Sequence, residues 1–101
     1  MDAKTEHDKA IELARQGEVQ EALDRFSTII RMEPNSAYAY FNRGCAYCQF
    51  HYLSKGVADF SEAIRLVPDS DMYYRNRGKA YAARGDKEKA DEDLMKAWEL
   101  T

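Results

Sequence analysis

The 101-residue chain holds few side chains able to do covalent or metal chemistry, and their spacing limits what they can do. Cys45-Ala46-Tyr47-Cys48 is a C-x-x-C string, the spacing found in zinc sites and thiol redox centres. A structural zinc ion needs a full tetrahedral set, and beyond the cysteines only His7, His51 and scattered carboxylates are present. A redox pair wants a helix N-terminus to lower its thiol pKa. These cysteines fall inside a helical segment on adjacent turns, so the string reads as two small packing residues. His7 and His51 read as surface residues, His51 in a turn. No Gly-rich phosphate loop, nucleophile elbow or Ser–His–Asp set is visible. The expectation is a non-enzymatic protein without metal or cofactor. A redox or metal-binding enzyme resting on Cys45 and Cys48 is the remaining alternative of that class.

The elements that position these residues come from a repeat. Asn42-Arg43-Gly44-Cys45-Ala46-Tyr47 returns as Asn76-Arg77-Gly78-Lys79-Ala80-Tyr81, an offset of 34. Pro34 and Pro68 share that offset, as do Phe26 and Phe60. Gly17 and Gly85 lie two offsets apart, with His51 between them. The first copy is weaker, with Ala10 for Gly44 and Leu13 for Tyr47. Each unit reads as two helices: 3–16 and 19–32, 37–50 and 53–66, 71–84 and 87–100. In the fourth, Val57, Phe60, Ile64 and Val67 recur at helical spacing. Gly17 and Gly85 stop first helices. Pro34 and Pro68 end second helices, since proline lacks an N–H and clashes with the preceding turn. Asn35-Ser36 and Asp69-Ser70 supply N-caps for the helices that follow.

Composition agrees with a small helical domain. At 45% hydrophobic residues a disordered chain is excluded. Pro 2 and Gly 5 are too few for a turn-dense β domain. A net charge of -3 argues against a nucleic-acid binder, whose domain is normally basic. No apolar run approaches a membrane span and no apolar leader follows Met1. Two cysteines are too few for a disulfide scaffold, which points to a reducing, cytoplasmic setting.

A helix–turn–helix unit of 34 residues with this pattern resembles the tetratricopeptide repeat. The resemblance covers a single domain, 1–101, in units of about 3–36, 37–70 and 71–101. Tyr40 and Tyr74, Gly44 and Gly78, Tyr47 and Tyr81, then Phe60, Ala63 and Pro68, with Leu94 and Ala97 in the last unit, carry it. Glu6 and Ala10 depart from it in unit one, and Arg43 and Arg77 stand where the family has an apolar residue. Their stems are expected to cover apolar surface while their heads stay wet. Asp91-Glu92-Asp93 is expected on a solvated outer face.

The resemblance implies an all-α, right-handed superhelical solenoid of six helices that binds a peptide or protein in a concave groove lined by the first helices. Carried over by position, the groove receives Lys4, His7, Asp8, Ile11, Ala14 and Arg15 from unit one. Tyr38, Phe41, Asn42, Cys45, Cys48 and Gln49 follow from unit two, then Met72, Arg75, Asn76, Lys79, Ala82 and Ala83 from unit three. Basic residues, Arg15 among them, outnumber acidic ones there, so an acidic or carboxylate-bearing segment is expected, held by Arg75, Lys79 and the two asparagines. Tyr38 and Phe41 are expected as an exposed apolar shelf, with Cys45 nearby. The family's carboxylate clamp for heat-shock chaperones is not intact. Only Asn42 fits it, and the other stations hold His7, Ile11, Met72 and Asn76. Leu94 and Trp98 on the last helix lack the polar closing helix usual in the family. They would be covered by further repeats, by a second copy in a homodimer, or by folding back onto their own unit. A self-assembly module is therefore the alternative to a peptide-binding scaffold.

Overall fold

The structure, a computed structural model, describes residues 2–101. The elements are α1 (Ala3–Arg15), α2 (Val19–Met32), α3 (Ala37–Gln49), α4 (Leu53–Leu66), α5 (Asp71–Arg84) and α6 (Lys87–Leu100). No strand occurs among the described residues. The first helices of the pairs begin with the same device. Asp2, Ser36 and Ser70 each accept the backbone N–H three residues on, at 2.7, 3.2 and 3.4 Å. One orphan donor per helix is thereby satisfied. The same helices also end alike: Glu18 N–H donates to Leu13 C=O, Tyr52 to Tyr47 and Asp86 to Tyr81, at 2.8–2.9 Å. That bond requires a left-handed residue at the stop. Gly17 (φ 86°) and Gly85 (φ 91°) supply it, and so does His51 (φ 65°).

The pairs stack in chain order. α2 packs on α3 and α4 on α5, while α1 touches α3 and α3 touches α5. The second helices do not touch one another. The first helices therefore lie on the inside of the curve and the second on the outside, a helical solenoid of 40 × 24 × 19 Å. Phe26, Ile29 and Phe60 are its most completely buried large side chains. Close approach within a pair depends on glycine: a Cβ at Gly44 would come within 2.8 Å of the Phe60 ring.

Arg43 and Arg77 do not keep their heads in water. Arg43 Nε and Nη2 donate to Asp59 Oδ2 and Oδ1, both at 2.8 Å, and Nη1 reaches Ser27 Oγ at 3.2 Å. Arg77 repeats this on Asp93 (2.7 and 2.8 Å) and Ser61 (3.1 Å). Each guanidinium lies between two tyrosine rings, Tyr40 and Tyr47 or Tyr74 and Tyr81, 5.6–5.8 Å from their centroids. Asp93 is thus buried, not part of a solvated acidic face. The hydroxyl comes from the preceding pair and the carboxylate from the arginine's own pair, so each arginine joins consecutive units. Unit one inverts the polarity. Glu6 stands at the tyrosine position and Arg25 at the aspartate position, and they pair at 3.2 Å.

Candidate functional site

The inner wall is built by α1, α3 and α5, and its open volume lies between α3 and α5. A cavity of about 310 Å³ there is lined by Cys45 and Cys48 from α3 and by Asn76, Lys79, Ala80 and Ala83 from α5. Phe60 and Leu53 of α4 and His51 of the intervening turn complete it. A second opening, about 450 Å³, lies at the end of the stack between Arg75, Lys79, Leu94, Ala97, Trp98 and Thr101. Lys79 borders both.

Phe41 is not an exposed shelf. It is 8% exposed, with its ring 5.0 Å from Tyr73 and 5.7 Å from Phe60. Its position faces the next unit, and α5 closes over it. The equivalent His7 packs on Tyr38 (5.3 Å) and Phe26 (6.4 Å) and is also buried, not a surface residue. Burial holds the His7 imidazole below its usual pKa, partly countered by Glu33 and Asp8. Arg75 is the third member of this set. Among the described residues no further helix covers it, and Arg75 borders the end opening with Leu94 and Trp98 and pairs with Asp71 on its own helix. Tyr38 remains half exposed.

The positive wall is partly neutralised. Lys4 pairs with Asp8, itself a groove position, at 3.6 Å, and Arg15 pairs with Glu12, its neighbour on α1, at 3.1 Å. Among the described residues Lys79 pairs with no carboxylate. Arg15, on α1, does not border the cavity between α3 and α5. Asn76 donates its amide to Met72 C=O at 2.8 Å, whereas the buried Asn42 Nδ2 has no partner. Burial pushes the Cys45 thiol up to about 12 and raises that of Cys48, so both are neutral thiols at neutral pH. Such thiols are poor nucleophiles and poor ligands. Among the described residues no three His, Cys, Asp or Glu side chains converge as a metal set.

A family model for the tetratricopeptide repeat matches residues 7–49 and 53–99. The chain belongs to the tetratricopeptide repeat family. No curated protein matches it. Among solved structures it is similar to the second tetratricopeptide domain of Spaghetti (RPAP3) bound to the HSP90 peptide SRMEEVD, at 22% identity and TM-score 0.93 over 100% of this chain and 94% of that one. The first such domain of RPAP3, bound to the same peptide, gives 26% and 0.93 over 97% and 78%. The Yersinia enterocolitica type III secretion translocator chaperone SycD, in an alternative dimer, gives 12% and 0.93 over 97% and 74%.

Within this tetratricopeptide stack the sequence reading missed Asp59, Asp93, Ser27 and Ser61. A signal was present: Arg43 and Asp59 are 16 residues apart, as are Arg77 and Asp93, and the whole set recurs at the repeat period. Of the three covers considered for Trp98, folding back onto its own unit does not occur, since Trp98 is 79% exposed. Leu94 is 40% exposed, although its equivalents Phe26 and Phe60 are the best buried rings of the molecule. No helix among the described residues is long and apolar enough to cross a membrane.

Proposed function

We propose that this tetratricopeptide domain is a non-enzymatic, cytoplasmic scaffold that binds an extended acidic or carboxylate-bearing segment of a protein partner along its inner wall. The observation that carries the reading is the unspent donor there: among the described residues the Lys79 ammonium pairs with no carboxylate, and it borders both openings. A ligand carboxylate would meet it in a charge-assisted hydrogen bond. Arg75, Asn76 and Arg15 add donors, and Tyr38 and Cys45 add apolar contact; Phe41 supports the wall from beneath. The similar RPAP3 domains, bound to the HSP90 peptide SRMEEVD, support a peptide as the partner. The net charge of -3 favours a protein over a nucleic acid or a membrane surface.

A displayed library of random peptides tests the reading. Wild type should enrich segments rich in Asp and Glu, and Arg75→Glu with Lys79→Glu should lose them. Enrichment of the same segments by both chains refutes it.

A second reading rests on the end face. Leu94, Met95 and Trp98 are exposed where the matching faces of α2 and α4 are covered by α3 and α5. That favours self-assembly as a homodimer, or continuation into a longer repeat array. Sedimentation of wild type against Trp98→Glu decides: a concentration-dependent oligomer lost in the variant supports assembly, and identical monomers remove it.

A further inference from the structure

We propose that the cavity between α3 and α5 is a socket for one apolar side chain of a bound peptide, with an acidic group next to that side chain held at the rim by Lys79 and His51. The proposal rests on the peptide-binding reading and names a place and a chemistry within it.

His51 is the starting point. The same turn occurs in every unit, closed by the same backbone bond, and units one and three make it with glycine. A side chain at φ 65° is strained, because Cβ crowds the neighbouring carbonyl. The turn does not need that side chain, since Gly17 and Gly85 form it equally well. Nor does the imidazole serve a local bond: among the described residues it makes no hydrogen bond or ion pair, and it borders the cavity instead. Strain retained without local use points to a role toward something else.

The cavity itself is specific to this junction. At the equivalent place one unit earlier, Ile11 stands for Cys45, Gly17 for His51, Cys45 for Lys79 and Gln49 for Ala83. There Gln49 Nε2 donates to Ala14 C=O at 2.9 Å and bridges the gap between α3 and α1. Between α3 and α5, small side chains leave the gap open over Phe60. Its 310 Å³ lies at the foot of the ~300–1,000 Å³ range of ligand pockets, a size for one side chain and its neighbour. The walls are thiol, methyl and ring surface, which suits Leu, Met or Phe. The rim carries a cation without a carboxylate, which selects Asp, Glu or a C-terminal carboxylate beside it.

The probes are Gly-Ser peptides bearing a single Leu-Glu, Met-Glu or Phe-Glu pair, compared with Ala-Glu and Leu-Gln, in a backbone-amide NMR titration of the whole chain. The first three should shift Cys45, Cys48 and Ala83, and each control should bind about tenfold more weakly. Ala83→Trp, an exposed helix position, should fill the socket and abolish the shifts. His51→Gly should raise the melting temperature by a few degrees while weakening binding by about tenfold, a divergence that loss of folding cannot produce. Peptides that shift other inner-wall amides and bind both variants as wild type overturn the socket and leave the groove reading standing. No shift with any pair, while the random library still enriches acidic segments, likewise overturns the socket alone.

Discussion

Removing Asp59 should be among the most damaging single changes in the molecule, although Asp59 touches neither opening. Its carboxylate is buried and receives two parallel bonds from Arg43 at 2.8 Å. Arg43 would be left with Ser27 alone, its guanidinium held between Tyr40 and Tyr47. A guanidinium is not deprotonated in proteins, so Arg43 stays charged without Asp59 and cannot escape by neutralising. Breaking one side of a buried pair costs roughly 3–5 kcal/mol. Arg43 keeps some contact with water, so Asp59→Ala belongs at the lower end, about 3 kcal/mol. At ~4–8 °C per kcal/mol for a domain of this size, the midpoint should fall by about 12–24 °C. Arg43→Met with Asp59→Leu removes both charges at similar volume and should lie within about 1 kcal/mol of wild type. Urea unfolding of the two single variants and the double variant gives the coupling energy, expected at about 2 kcal/mol or more. A loss below about 1 kcal/mol for Asp59→Ala would show that the pair behaves as a surface contact and would refute the reasoning.

Two further predictions concern protons. Burial lowers the His7 pKa, so the folded state prefers the neutral ring. Its contribution is present above the unfolded value near 6.5 and is lost as pH falls through the lower folded value. Urea midpoints should therefore drop on acidification below pH 6.5, and His7→Phe should flatten that part of the profile; an unchanged slope would be the contrary result. Cys45 has the opposite sense. Its folded pKa of about 12 lies above the unfolded 9.0, so stability holds below pH 9 and is lost as pH rises toward 12. Cys45→Ala should reduce this alkaline loss, and iodoacetamide at pH 8 should label wild-type Cys45 more slowly than the unfolded chain, as mass spectrometry would show.

The sequence determined the helices, because their signals act within a few residues. Ser36 and Ser70 cap through bonds three residues long, Gly17 and Gly85 stop helices by their own φ, and the 34-residue period copies these devices along the chain. The expected helices agree with the observed ones to within a residue at each end. What each side chain faces was decided between helices. Phe41 is core because α5 lies over it, and Arg75, at the same position without a following helix, is left at the open end. Asp59 and Asp93 became ion-pair partners because α4 and α6 bring them back against α3 and α5. The openness of the cavity beside His51 likewise follows from how far apart α3 and α5 sit over Phe60, a distance no local preference encodes.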